Sequence, residues 1–198
     1  MKLVLGSRNA HKLRELSTLI DPHELVPLPD AVELPPETGD TFAEHALSKA
    51  RAAAEATGQR ALGEDSGIAV AALAGAPGIR SARYAGEDAT DEQNLAKLME
   101  VMASQEDRRA AYICALAFAE PNGEARLFEG SCEGRLARSP HGSGGFGYDP
   151  IFIPEGAQGD NETMATLSPE HKNAISHRGK AARLLLEWLA SRSPEHEP

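Results

Sequence analysis

Residues 2–20 read Lys2-Leu3-Val4-Leu5-Gly6-Ser7-Arg8-Asn9-Ala10-His11-Lys12-Leu13-Arg14-Glu15-Leu16-Ser17-Thr18-Leu19-Ile20. A short apolar run ends at Gly6 and reads as a strand. After a four-residue polar turn, Asn9 can cap a helix over His11 to Ile20. Its apolar positions Leu13, Leu16, Leu19 and Ile20 recur at helical spacing. A strand feeding a helix through a tight turn, repeated in mixed form along the chain, reads as α/β or α+β, with α/β the class expected.

Working outward, Asp21-Pro22 stops that helix, and Glu24 to Leu28 reads as a second strand. A proline-marked connection follows. Thr41, with Glu44 three residues on, opens a long Ala-rich helix that ends at Gly58. Arg60 to Gly63 reads as a strand, the polar Glu64-Asp65-Ser66-Gly67 as a junction, and Ile68 to Leu73 as a further apolar run. Asp91 to Met102 is amphipathic. Ala110 to Ala119 and Ala125 to Phe128, joined at Pro121-Asn122-Gly123, signal a hairpin, with Gly130 to Leu136 as a third strand. Ser168-Pro169 opens a short helix, and Gly179 to Ser191 forms the last, with Trp188 read as exposed. No repeat or linker divides the chain. One domain is expected over 1–192, with 193–198 as a disordered tail.

The chain has 198 residues, 20 Lys plus Arg and 30 Asp plus Glu, for a formal net charge of −10. That length buries a sizeable core. The acidity weighs against nucleic-acid and anionic-membrane partners, though a local cradle or a metal can still receive an anionic small molecule. No apolar run is long enough to span a bilayer, and the first residues do not form a signal peptide, so a cytoplasmic protein is expected. Cys114 and Cys132 make neither a disulfide framework nor a zinc cluster and read as buried small hydrophobes.

Four stretches could carry chemistry. Gly6 to Lys12 places helix N–H groups and an ammonium where a phosphate could sit, or is simply a capped turn. Glu37 with Glu64-Asp65 could hold Mg²⁺, which takes a few carboxylates plus substrate phosphates. Carboxylates between two apolar runs need a reason to be there. His141-Gly-Ser-Gly-Gly-Phe-Gly-Tyr-Asp149 sets two aromatic rings in bare backbone that can wrap a base. Leu167 to Gly179 gathers His171, Lys172, His177 and Arg178 near two helix starts, a basic patch in an acidic chain.

Taken in order, Ser7–Lys12, Glu37–Ala46, Glu64–Val70, Gly75–Gly86, Gly144–Phe152 and Ser176–Gly179 resemble the inosine triphosphatase family, the non-standard purine nucleoside triphosphate pyrophosphatases. The resemblance spans Lys2 to Leu189, with Glu64 standing where some members have Asp. It implies an elongated, two-lobed α/β fold with a long mixed sheet flanked by helices and a substrate cleft between lobes. It also implies a homodimer that hydrolyses ITP, dITP and XTP to the monophosphate and pyrophosphate with Mg²⁺, cleansing the nucleotide pool. Carried onto this chain, Ser7, Arg8, Asn9, Ala10, His11 and Lys12 would hold the triphosphate. Glu37 and Asp65 would bind the metal, with Asp65 also the proton acceptor. Ser66 would touch substrate. Phe146, Gly147, Tyr148 and Asp149 would frame the base, and Lys172, His177 and Arg178 would complete the pocket. Two other classes compete: a Maf-type pyrophosphatase of different base preference, and a nucleotide sensor without turnover. Retention of Glu37, Glu64 and Asp65 weighs against the sensor.

Overall fold

The structure is a computed structural model that describes residues 1–192. The anticipated tail at 193–198 lies outside the described residues. Six strands, β1 (Lys2–Leu5), β2 (Glu24–Pro27), β3 (Ala61–Val70), β4 (Arg109–Ala119), β5 (Ala125–Leu136) and β6 (Phe152–Pro154), form one sheet in the order β2-β1-β3-β4-β5-β6. β1 pairs parallel to both β2 and β3, whereas β5 and β6 are antiparallel, so the sheet is mixed. Five helices accompany it: α1 (Ala10–Leu19), α2 (Phe42–Thr57), α3 (Asp91–Val101), α4 (Pro169–Ile175) and α5 (His177–Ser191).

The chain divides into two compact units, 1–65 with 114–130 and 177 onward, and 66–113 with 131–176. In the first unit, strand alternation builds two cores. Leu3, Leu5, Leu62, Leu116 and Phe118 turn to one side and meet Leu16 of α1 and Leu185 of α5. Val4, Ala61, Ala115, Ala117 and Ala119 turn to the other and meet Ala46, Ala50, Ala53 and Ala54 of α2. In the second unit, Ile68, Val70, Leu98, Tyr112, Phe152 and Met164 form one core.

α2 is fixed at both ends as its sequence foretells. Thr41 accepts from the Glu44 N–H while the Glu44 carboxylate accepts from the Thr41 N–H, and Gly58 closes the helix at φ 65°. Its alanine stripe comes close to the strands because Gly63 and Gly6 lack side chains where its backbone passes. A Cβ at Gly63 would stand 2.1 Å from the Ala46 carbonyl oxygen and 2.5 Å from the Ala50 nitrogen; one at Gly6 would stand 2.7 Å from the Lys49 carbonyl oxygen. Gly63→Ala must therefore push α2 outward. We expect a loss of roughly 1–3 kcal/mol in thermal or denaturant unfolding, typical of overpacking against a rigid backbone. Unchanged stability would show that α2 is not held at this distance by packing.

Several elements differ from the sequence reading. Glu64-Asp65-Ser66-Gly67 is no junction: β3 runs straight through it to Val70, and Ala71–Leu73 turns as a 3₁₀ segment instead of extending. Acidic residues are tolerated inside the strand because cationic partners meet them, as described below. Gly67 makes no turn there. It admits Ser81, whose Oγ would lie 2.4 Å from a Cβ at that position. Ala125–Phe128 and Gly130–Leu136 are one strand, β5, whose Gly130 lies against the start of α5. α5 begins at His177, two residues earlier than its apolar pattern suggests. Trp188 is half-buried, edge-on to Phe118 at 5.1 Å and tilted against Phe128 at 5.6 Å. Cys114 and Cys132 are buried free thiols in β4 and β5. Among the described residues, no helix is long and apolar enough to cross a membrane.

Candidate active site

In the first unit, β3 delivers Glu64 and Asp65, and α1, α2 and α5 each answer them with a cation. Glu64 is fully buried. Its Oε2 lies 2.7 Å from Lys12 Nζ of α1, and its Oε1 accepts from Arg178 Nε of α5 at 3.1 Å. Arg178, itself 3% exposed, also donates to Glu15 Oε2 at 2.5 Å. Burial alone would lower the Arg178 pKa, but Glu64 and Glu15 outweigh it and raise the value, so the guanidinium stays charged. Beneath this cluster the Cys114 thiol lies 3.6 Å from Glu64 Oε1; burial first, and then the carboxylate, push its pKa well up, which makes it an inert thiol.

Asp65 is held from two sides. His45 Nδ1 of α2 is 2.8 Å from Asp65 Oδ2, and His45 Nε2 is 2.8 Å from the Gly39 carbonyl oxygen. The same imidazole thus ties Asp65 to the connection that carries Glu37. One turn further along α2, Lys49 Nζ contacts Glu37 Oε1 and lies 3.6 Å from Asp65 Oδ1; Lys12 Nζ is 3.9 Å from that oxygen. Ligand atoms of Glu37, His45 and Asp65 all lie within 4.8 Å of one another. Two carboxylates at that spacing suit a hard divalent cation. Both His45 nitrogens are engaged, with Asp65 and with the Gly39 carbonyl, so the ring supports Asp65 and leaves the Glu37 and Asp65 carboxylates as the candidate donors to a cation.

The turn before α1 is built differently from a bare phosphate cradle. Asn9 Oδ1 accepts from the His11 and Lys12 N–H groups at 2.9 and 3.1 Å, and Ser7 Oγ accepts from the Asn9 N–H at 3.2 Å. Asn9 is thus a cap first, and the Lys12 side chain carries the charge. Arg8 turns away to the connection after β2, where it donates to the carbonyls of Leu28, Pro29, Asp30 and Val32. Its guanidinium fork suits that stapling of a loop with few backbone bonds of its own. Ala10 and His11 are exposed at the first turn of α1.

The second unit brings together another group of the sequence candidates. Asp149 is buried and its Oδ2 accepts from Lys172 Nζ at 2.7 Å and from the Phe146 N–H at 2.9 Å. Lys172 Nζ also lies 5.5 Å from the Phe146 ring centroid. Gly145 holds φ 71°, and a Cβ there would stand 2.0 Å from Asp149 Oδ2, so glycine is required for this contact. The Gly147 N–H donates to Asp91 Oδ2 at 2.9 Å. The Tyr148 hydroxyl donates to the Ser81 carbonyl at 2.7 Å, and burial raises its pKa, so it serves as a fixed donor. Ser66 is half-buried on β3, and His171 is exposed on α4. His177 belongs to the first unit, buried at the start of α5 beside Arg178.

The sequence reading missed His45, Lys49 and Glu15. Their signal was available: His45 and Lys49 are four residues apart on a helix whose inward face is otherwise alanine. A polar pair interrupting a small apolar stripe marks a site on that face.

The Ham1 family model matches residues 3–188. The chain belongs to the Ham1 family. A dITP/XTP pyrophosphatase of Desulforamulus reducens is 48% identical over 197 residues, covering 96% of each chain. One of Streptomyces coelicolor is 49% identical over 193 residues, covering 93% of this chain and 95% of its own. Among solved structures, a HAM1 protein from Coxiella burnetii superposes with a TM-score of 0.85 at 42% identity, covering 96% of this chain and 99% of its own. The inosine triphosphatase resemblance of the six motifs agrees with these Ham1 relatives.

Proposed function

We propose that this Ham1 protein hydrolyses non-standard purine nucleoside triphosphates, ITP, dITP and XTP, to the monophosphate and pyrophosphate. The observation that carries the reading is the pairing of Asp65 and Glu37 with Lys12 and Lys49 in the first unit. Carboxylates for a metal beside two ammonium groups are what a polyanionic substrate needs for charge neutralisation. The metal is a hard divalent cation, with Mg²⁺ the proposed species; held by Glu37 and Asp65, it would screen charge on the triphosphate.

The chain's own residues do the rest. Lys12 and Lys49, on flexible stems, turn from their carboxylates to the phosphates. Asp65, oriented by the His45 contact at Oδ2, is proposed as the proton acceptor for the attacking water. Glu64 and Arg178 set the direction of Lys12 from behind. Attack at the α-phosphorus follows from the family resemblance. Phe146 is proposed to stack on the base, while Asp149, fixed by Lys172, frames it with Gly147 and Tyr148. Ser66 and His177 are proposed substrate contacts.

The test is pyrophosphate release from ITP, XTP, GTP and ATP, each with and without Mg²⁺. We expect release from ITP and XTP, dependence on the metal, and slow turnover of ATP and GTP. Orthophosphate as the first product, or a preference for ATP, would overturn the reading. We further propose a homodimer; a monomer mass by light scattering at micromolar concentration would exclude it.

A further inference from the structure

Lys49 and the proposed metal address the same two carboxylates. Lys49 Nζ is in ion contact with Glu37 Oε1 and 3.6 Å from Asp65 Oδ1, with its side chain 12% exposed. Ligand atoms of Glu37 and Asp65 also lie within 4.8 Å of each other, close enough to share a divalent cation. An ammonium left beside a doubly charged ion would be repelled in a partly buried setting where water screens weakly. Without a cation of either kind, the two carboxylates would repel each other.

We propose that Lys49 is the standing counter-ion of the Glu37–Asp65 pair and exchanges places with the divalent cation. The inference rests on the proposed function, and it adds an order to it. Entry of the metal displaces the ammonium, and the displaced ammonium becomes available to the substrate's phosphates. Metal binding and triphosphate binding then favour one another, because each removes the obstacle to the other; that coupling is reciprocal. Lys12 does not share the role. Its amine lies 2.7 Å from Glu64 Oε2 and only 3.9 Å from Asp65 Oδ1, so its counter-ion is Glu64. The geometry of α2 makes the exchange local: Lys49 stands one turn from His45, whose hold on Asp65 does not depend on the lysine.

The experiment is calorimetric titration of Mn²⁺ alone into the substrate-free full chain, compared among the wild type, Lys49→Met and Lys12→Met. Removing the competing ammonium is expected to tighten Mn²⁺ binding by about tenfold or more in Lys49→Met, the scale of one hydrogen-bonded charge contact. Lys12→Met is expected to change it by much less. Adding Asp65→Asn to Lys49→Met is expected to abolish the gain. Lys49→Gln provides the same comparison with a polar side chain, should Lys49→Met fold poorly by circular dichroism. Equal or weaker Mn²⁺ binding in both Lys49 variants overturns the exchange. So does an equal gain in Lys12→Met, which would reduce the effect to the general field. The proposed hydrolysis is read separately by pyrophosphate release from the wild type, so failure of one does not disguise failure of the other.

Discussion

Asp65→Asn is expected to lower kcat for pyrophosphate release from ITP by about 10²-fold or more. The replacement keeps the shape of the side chain, and an amide oxygen can still accept from His45 Nδ1, so the fold and the placement of α2 should persist. What is lost is an anionic oxygen able to take a proton and to share a dication with Glu37. Steady-state kinetics together with a thermal melt separates the two effects. A folded variant with near-normal turnover would remove Asp65 from the chemistry and return it to a purely electrostatic role.

The second large effect is expected at Arg178. Its guanidinium neutralises Glu64, which is fully buried, and reaches Glu15 on α1. Arg178→Met leaves a buried carboxylate with Lys12 as its remaining cationic neighbour among the described contacts. Breaking one side of such a pair costs about 3–5 kcal/mol, so denaturant unfolding should show a midpoint markedly below that of the wild type. Glu64→Gln in the same background should recover part of the loss, because it removes the uncompensated charge; no recovery would mean that the guanidinium acts by packing alone. The resemblance placed Arg178 among the residues that complete the substrate pocket; in the structure its N–H groups donate to the carboxylates of Glu64 and Glu15. A folded Arg178 variant with an unchanged ITP/ATP ratio would confine the residue to that pairing.

The fold was largely legible because its signals are local. Asn9 and the Thr41–Glu44 box cap their helices as read, and Gly58 stops α2 in the left-handed conformation. β3 was misread because Glu64 and Asp65 look like a break when burial is judged from composition; only the cations arriving from α1, α2 and α5 make a continuous strand tolerable. Charge partners separated by tens of residues leave no mark in a local window. For the same reason Asp65 and Lys12 could be named as candidates, but not Lys12's attachment to Glu64, nor Arg8's use as a loop staple. His45 and Lys49 were readable in principle from the alanine stripe they interrupt. Their meaning depended on Gly63 and Gly6 allowing α2 so close to the strands.

The Glu15–Arg178–Glu64 tie also has a consequence for how the molecule is made. Its two bonds span 163 and 114 residues of chain. A polypeptide leaving the ribosome presents Glu15 and Glu64 well before Arg178. Until that arginine emerges, Glu64 of β3, destined for the interior, lacks a guanidinium that pairs with it in the folded chain, so drawing the strand in is opposed by the cost of desolvating a charge. Segments that form the second unit are synthesised in the interval. The carboxylate cluster of the first unit therefore sets only after Arg178 has emerged, and its chemistry stays unassembled until then.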